Sequence, residues 1–246
     1  MFKILHTELL KFKRGKILWL VPLGAFVAAF LTYMMLTQTQ AHIHSIPWNS
    51  FFKNLEFLMN ALVGPALFSL MAGFIVAQEY QNNTINQLFT YPTSRLKFLL
   101  GKTIIMIGII AATFILAFIF TLGFGFIAKT DGPLTADIAW KHAQLFLRMI
   151  PMHFAWIPIA MTASMLGKNY IPPMAIGIGA VFFNIVIASS KYVSIFPYSV
   201  PFAITNALEG VQKVDYLKGI ISLSLTFLIP FIFNLFYYAK SDVHSG

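Results

Sequence analysis

Six runs along the 246-residue chain are apolar on every helical face and separated by polar punctuation. A hydrocarbon core about 30 Å thick takes roughly 17–25 helical residues to cross, at 1.5 Å per residue. The runs 17–36, 57–77, 104–128, 145–166, 171–188 and 220–238 meet that length. Strands do not explain them, because a membrane barrel alternates polar and apolar positions whereas these runs do not. The pattern predicts an all-α membrane protein with six transmembrane helices, in one transmembrane domain over 1–246. The longest segment left between runs, 189–219, falls below the roughly 50 residues of a small domain, so no soluble catalytic domain is expected.

Composition agrees with the pattern. Hydrophobic residues make up 58% of the chain and charged residues 10%, against about 25% charged in ordinary globular proteins. The absence of cysteine excludes disulfides, thiolate nucleophiles and Cys-ligated zinc. The net charge of +9 acquires meaning only when it is located. With six spans both termini lie on one side of the membrane. That side carries Lys3, Lys11, Lys13, Arg14, Lys16, Arg95, Lys97, Lys102, Lys168 and Lys240 against Glu8, Glu79 and Asp242, a net +7. The other side carries Lys53, Lys129, Lys141, Arg148, Lys191, Lys213 and Lys218 against Glu56, Asp131, Asp137, Glu209 and Asp215, a net +2. Lys and Arg accumulate on the cytoplasmic side, which places both termini there, in a multi-pass protein of the plasma membrane. The basicity is an orientation signal and an attraction to anionic membrane lipid, and no nucleic-acid partner is expected. The first run is too long for the core of a signal peptide, and no small-x-small cleavage site follows it.

The polar segments carry further patterns. Phe2, Leu5, Leu9 and Phe12 recur at helical spacing, with Lys3, Lys11, Lys13 and Arg14 for the opposite face, as in an amphipathic N-terminal helix lying in the membrane interface. Between runs two and three, Asn83 or Thr84 can cap a short helix that Pro92 ends, and Ser94 can cap the next, which opens with Arg95 and Lys97. The segment 193–208 is apolar but interrupted by Pro197 and Pro201, which suits a re-entrant element on the outer side before the last span.

Several motifs carry less than they promise. Gly101-Lys102-Thr103 resembles the end of a phosphate-binding loop, but the glycine that loop needs at position 96 is Leu. His42 and His44 have no evident third metal ligand, so no metal or cofactor is assigned to the chain. Proton- or ion-coupled transporters place ionisable groups near the bilayer midplane, and these runs hold almost none. Their deeper polar residues are His153, Asn60, Asn184 and Asn234, either interhelical hydrogen-bonding groups or polar positions along a pathway. His153 lies between Pro151 and Pro158, which should bend its span. Small pairs at four-residue spacing, Gly24/Ala28, Gly108/Ala112 and Ala175/Gly179, mark faces for close packing.

At the segment between runs two and three the chain resembles a family. Glu79, Asn83-Thr84-Ile85, Leu88, Pro92, Ser94-Arg95 and Gly101-Lys102 are similar to the Glu…Gly-Thr-x…Leu…Pro-x-Ser-Arg…Gly-Lys pattern of membrane subunits of type-2 ATP-binding-cassette (ABC) exporters. Asn83 replaces the more usual Gly; both tolerate positive φ. The likeness extends to the N-terminal helix, the six spans, the cytoplasmic ends and the outer segment. Size and compact loops most resemble permeases of bacitracin and lantibiotic (peptide-antibiotic) transport or self-immunity. The resemblance implies a non-enzymatic permease, paired with a second permease copy or paralogue and with cytoplasmic ABC ATPase subunits that hold the ATP and magnesium. It also implies that 79–95 forms a coupling helix seated on the ATPase, with Glu79, Asn83, Thr84, Leu88, Pro92, Ser94 and Arg95 as the contact segment. The expected activity is export or clearance of an amphipathic, peptide-antibiotic or lipid-associated substrate. Other readings are a permease for a lipid, a glycan or another solute, a non-transporting anchor or sensor for a cytoplasmic complex, and an intramembrane lipid hydrolase. The last lacks a visible nucleophile–base pair.

Overall fold

The first apolar run becomes a helix as soon as the chain leaves Lys16, whose φ of 54° closes a left-handed cap before the 3-10 turn Ile17–Trp19. In this computed structural model the described residues are 6–8, 10–11, 16–39, 46–82, 95–128, 130 and 132–240. The turn leads into α1 (Leu20–Thr39). Gly24 lets α1 lie against the bundle, because a Cβ there would come within 2.6 Å of Leu67. The other two predicted small pairs serve no internal contact at their glycines: a Cβ on Gly108 or Gly179 would meet nothing within 4 Å.

Helix α2 (Trp48–Leu58) continues through a π-helical turn, Met59–Val63, into α3 (Gly64–Gln81). The combined helix, Trp48–Gln81, is 34 residues long and starts nine positions before the predicted run 57–77. The sequence pattern missed this extension because the first three turns of α2 carry Asn49, Lys53 and Glu56 on one face, so the stretch reads as a polar loop. The π turn puts Gly64 against His153, whose Nε2 would lie 2.6 Å from a Cβ.

Helix α4 (Arg95–Ile127) extends the predicted run 104–128 by nine residues at its start, through Arg95 and Lys97. The run 145–166 is two helices, α5 (Ala136–Phe154) and α6 (Ile157–Gly167), interrupted at Ala155 and Trp156 between the two prolines. Pro151 and Pro158 each lack a backbone N–H, so the ladder gives way there. The break is filled by the Trp156 indole, which donates to Pro197 O at 3.1 Å. Helix α7 (Ile171–Ile187) crosses α3 closely, with Pro173 against Gly73 and Gly177 against the Pro65 carbonyl. Residues 189–199 form bends and turns, followed by the short α8 (Val200–Leu208) and then α9 (Tyr216–Lys240).

All regular elements among the described residues are helical, and five helical stretches are long and apolar enough to cross a membrane. The predicted run 171–188 is present as α7, an apolar helix shorter than those five at 17 residues. The core is continuous from Trp48 and Phe52 through Phe68, Met71 and Phe114 to Met161 and Met165. The outward faces remain apolar: Trp19, Phe126, Phe182, Ile185 and Val186 are each more than 60% exposed. Apolar surface on that scale is what a lipid environment accepts and water does not, and the chain is a membrane protein.

Candidate functional site

The ends of α3 and α4 that flank 83–94 meet in an ionic cluster. Ile75 and Glu79 are one helical turn apart on α3, so both face the same neighbour. That neighbour is Lys102, on the third turn of α4. Its Nζ donates to Glu79 Oε1 at 2.9 Å, to Glu8 Oε2 at 2.6 Å and to the Ile75 carbonyl at 2.9 Å. An ammonium carries three N–H donors, and here each has an acceptor. Lys11 completes the group, reaching Glu8 Oε1 at 2.8 Å and Glu79 Oε1 at 2.6 Å. The side chains of Lys102 and Glu8 are wholly inaccessible and that of Glu79 is 1% exposed, whereas Lys11 is 32% exposed. Two carboxylates and two ammonium groups make the cluster neutral. Neutrality and complete hydrogen bonding are the conditions under which charges tolerate burial.

The cluster ties three parts of the chain together: the helical residues near Glu8 and Lys11, the end of α3, and the start of α4. Glu79 therefore points into the bundle, and its carboxylate is not presented to a partner in this arrangement. Asn83, Thr84, Leu88, Pro92 and Ser94 lie outside the described residues, and Arg95 is the first residue of α4. Phe2, Leu5, Leu9 and Phe12 of the expected interfacial helix also lie outside them; His6–Glu8, Leu10 and Lys11 are helical. Sequence reasoning placed Glu8 in the charge count, Lys11 also on the polar face of the N-terminal helix and Lys102 also in the Gly-Lys end of the family pattern, but it paired none of them. A lysine in the interior of an otherwise apolar helix, seven residues past its start, was the signal that could have identified them.

The four deeper polar residues are separated by the fold; the three asparagines bond between elements, and His153 bonds within its own helix. Asn60 Nδ2 donates to Thr205 Oγ1 of α8 at 3.2 Å, and Asn184 Nδ2 to the Ala61 carbonyl at 3.2 Å. Asn234 donates to the Pro158 carbonyl at 3.0 Å and accepts from Thr162 Oγ1 at 2.7 Å, fastening α9 to the start of α6. His153 Nδ1 is 2.9 Å from the Met149 carbonyl, and its ring sits among Phe68, Phe114 and Trp156 at centroid distances of 5.6, 5.0 and 4.5 Å.

Comparison with known proteins gives two findings. The profile of the family described as "ABC-2 family transporter protein" matches residues 4–187. A bacitracin transport permease protein, BCRB of Bacillus licheniformis, is 24% identical over 201 residues, covering 81% of this chain and 95% of that relative.

Proposed function

Because the chain belongs to the ABC-2 family of transporter proteins, we propose that it is the membrane-spanning permease subunit of an ATP-driven exporter. The observation that carries the mechanism is the buried ionic cluster. Force delivered to 83–94 enters the bundle at the end of α3 and the start of α4, where Lys102 joins both to Glu8. The chain would move these elements as one body rather than let the segment flex alone. In this reading α1, α2–α3, α4, α5–α6, α7 and α9 are the six spans, both termini are cytoplasmic, the N-terminal helix lies in the interface, and α8 with the turns before it forms the re-entrant outer segment. The chain itself is not an enzyme; a separate ABC ATPase subunit binds and hydrolyses ATP with magnesium, and a second permease copy or paralogue completes the pathway. Similarity to a permease named for bacitracin transport favours an amphipathic peptide antibiotic or lipid-associated substrate over a small hydrophilic solute.

The buried position of Glu79 changes which variant tests coupling. A charge reversal there would break the cluster and the fold with it, so Arg95→Glu is the informative change. Reconstituted with a cognate ABC ATPase subunit, the wild-type chain should stimulate ATP turnover. Arg95→Glu should insert and fold normally yet lose that stimulation, and turnover equal to wild type would overturn the coupling assignment. Deleting the pair should sensitise the host to a membrane-active peptide. Unchanged sensitivity across a peptide panel would remove the peptide substrate and leave lipid, glycan or another solute.

A further inference from the structure

A second cluster of buried polar groups sits near the other end of the Trp48–Gln81 helix. Glu56 and Glu79 are 23 residues apart on it, roughly 35 Å at the helical rise. Here Glu56 of α2, His142 of α5 and Glu209 at the end of α8 each offer one ligand atom, and these atoms all lie within 4.8 Å of one another. Their side chains are 2%, 0% and 2% exposed. Residues from three separate elements, distant in sequence, have been brought to one point.

The histidine is held for a purpose beyond packing. Phe52 stacks on its ring at 4.6 Å with the planes 17° apart, which fixes the imidazole plane. Its Nε2 lies 2.8 Å from Asn49 Oδ1, and its Nδ1 lies 2.7 Å from Glu56 Oε1. A hydrogen-bonded outer nitrogen with the inner one directed at carboxylates is how metal-binding imidazoles are oriented. The second Glu56 oxygen, Oε2, is buried and has no hydrogen-bond partner among the described residues. Burial without a donor is unfavourable for a carboxylate oxygen, and a cation in the space between the three side chains supplies the missing partner. Lys53 and Lys141 contact Glu209 at 3.4 and 3.5 Å, but they are 35% and 49% exposed and can swing their ammonium groups into water.

We propose that Glu56, His142 and Glu209 form a binding site for a divalent transition-metal ion, with Zn2+ the best match. One imidazole and two carboxylates suit zinc, and tetrahedral bonds of about 2.0–2.2 Å require ligand atoms roughly 3.3–3.6 Å apart. Small side-chain rotations reach that spacing from the separations present. Three protein ligands leave one coordination position for water or another donor. The bound ion would fasten the end of α8 to α2 and α5. This site is independent of the transport reading, and its failure would leave that reading intact.

The test uses the purified full-length chain in detergent, titrated with Zn2+ against a chromophoric chelator and with Co2+ as a spectroscopic probe. The expected result is one saturable Zn2+ per chain, and visible d–d absorption from Co2+ that Zn2+ displaces. Glu56→Gln and His142→Gln should each weaken Zn2+ binding at least about tenfold, and His42→Gln with His44→Gln should leave it unchanged. The double variant Lys53→Gln/Lys141→Gln, which removes the competing ammonium groups, should bind Zn2+ more tightly. No saturable binding would overturn the site, as would affinity unaltered by Glu56→Gln and His142→Gln. Should those two variants fail to fold, an affinity in the lysine variant that is unchanged or weaker would overturn it instead.

Discussion

Lys102→Met isolates the energetic role of the cluster at the base of α3 and α4. The substitution keeps side-chain length and apolar character while removing the ammonium that joins Glu8 to Glu79. At 2.6 and 2.9 Å, and with an effective dielectric of about 20, each contact represents roughly 6 kcal/mol of gross attraction. Most of that is offset by the desolvation of three ions and by the repulsion between two neighbouring carboxylates. Removing one member of such a group, which leaves uncompensated charge in the interior, costs about 3–5 kcal/mol net. For a chain of this size that corresponds to a fall of about 6–20 °C in the unfolding midpoint, read by thermal unfolding of the purified protein in detergent. The sharper test is rescue. Lys102→Met combined with Glu8→Gln and Glu79→Gln leaves no buried unpaired charge and frees Lys11, already 32% exposed, to turn into water. The triple variant should recover most of the lost stability. A single variant as stable as wild type, or a triple variant no more stable than the single, would refute the reasoning.

Other consequences concern helix contacts. Gly73→Ala places a methyl 2.7 Å from Pro173 Cβ and must push α7 away from α3, at a cost of about 1–3 kcal/mol in thermal stability. Trp156→Phe removes the N–H that Pro197 O accepts and should cost about 1 kcal/mol, measured the same way. Asn234→Ala should cost about 0.6–1.7 kcal/mol while leaving the range of transported substrates unchanged; a changed range would return Asn234 to the pathway.

The positions of the helices were legible wherever the chain is apolar all round, because lipid demands a continuous run and the run is visible. Their ends were not. The first turns of α2 and α5 carry Asn49, Lys53 and Glu56, and Lys141 and His142, residues that read as loop in a sliding count of hydropathy. The fold makes them helical by turning those faces towards one another, with Phe52 stacked on His142. The interruption at Ala155 and Trp156 was foreseeable from Pro151 and Pro158, because proline acts locally. The pairing of Glu8 with Lys102 was not, because 94 residues separate them and nothing in their own neighbourhoods marks the partner. Gly73 and Gly177, the close contacts between α3 and α7, were likewise hidden, whereas the four-residue spacing at Gly108/Ala112 and Ala175/Gly179 picked out glycines where an added Cβ would meet nothing within 4 Å.

Both buried clusters involve residues that the charge count assigned to opposite faces of the membrane, so burial could have undermined the orientation drawn from that count. It does not. Glu8, Lys11, Glu79 and Lys102 sum to zero, and Lys53, Glu56, Lys141 and Glu209 likewise add nothing to the formal count. Removing both groups leaves the terminal side at +7, carried by Lys3, Lys13, Arg14, Lys16, Arg95, Lys97, Lys168 and Lys240 against Asp242. The opposite side stays at +2, from Lys129, Arg148, Lys191, Lys213 and Lys218 against Asp131, Asp137 and Asp215. Charges that meet inside the protein must cancel to be buried at all, and the excess left over is the part on which the membrane's asymmetry acts. The proposed orientation therefore rests on residues that the internal ion pairs leave untouched.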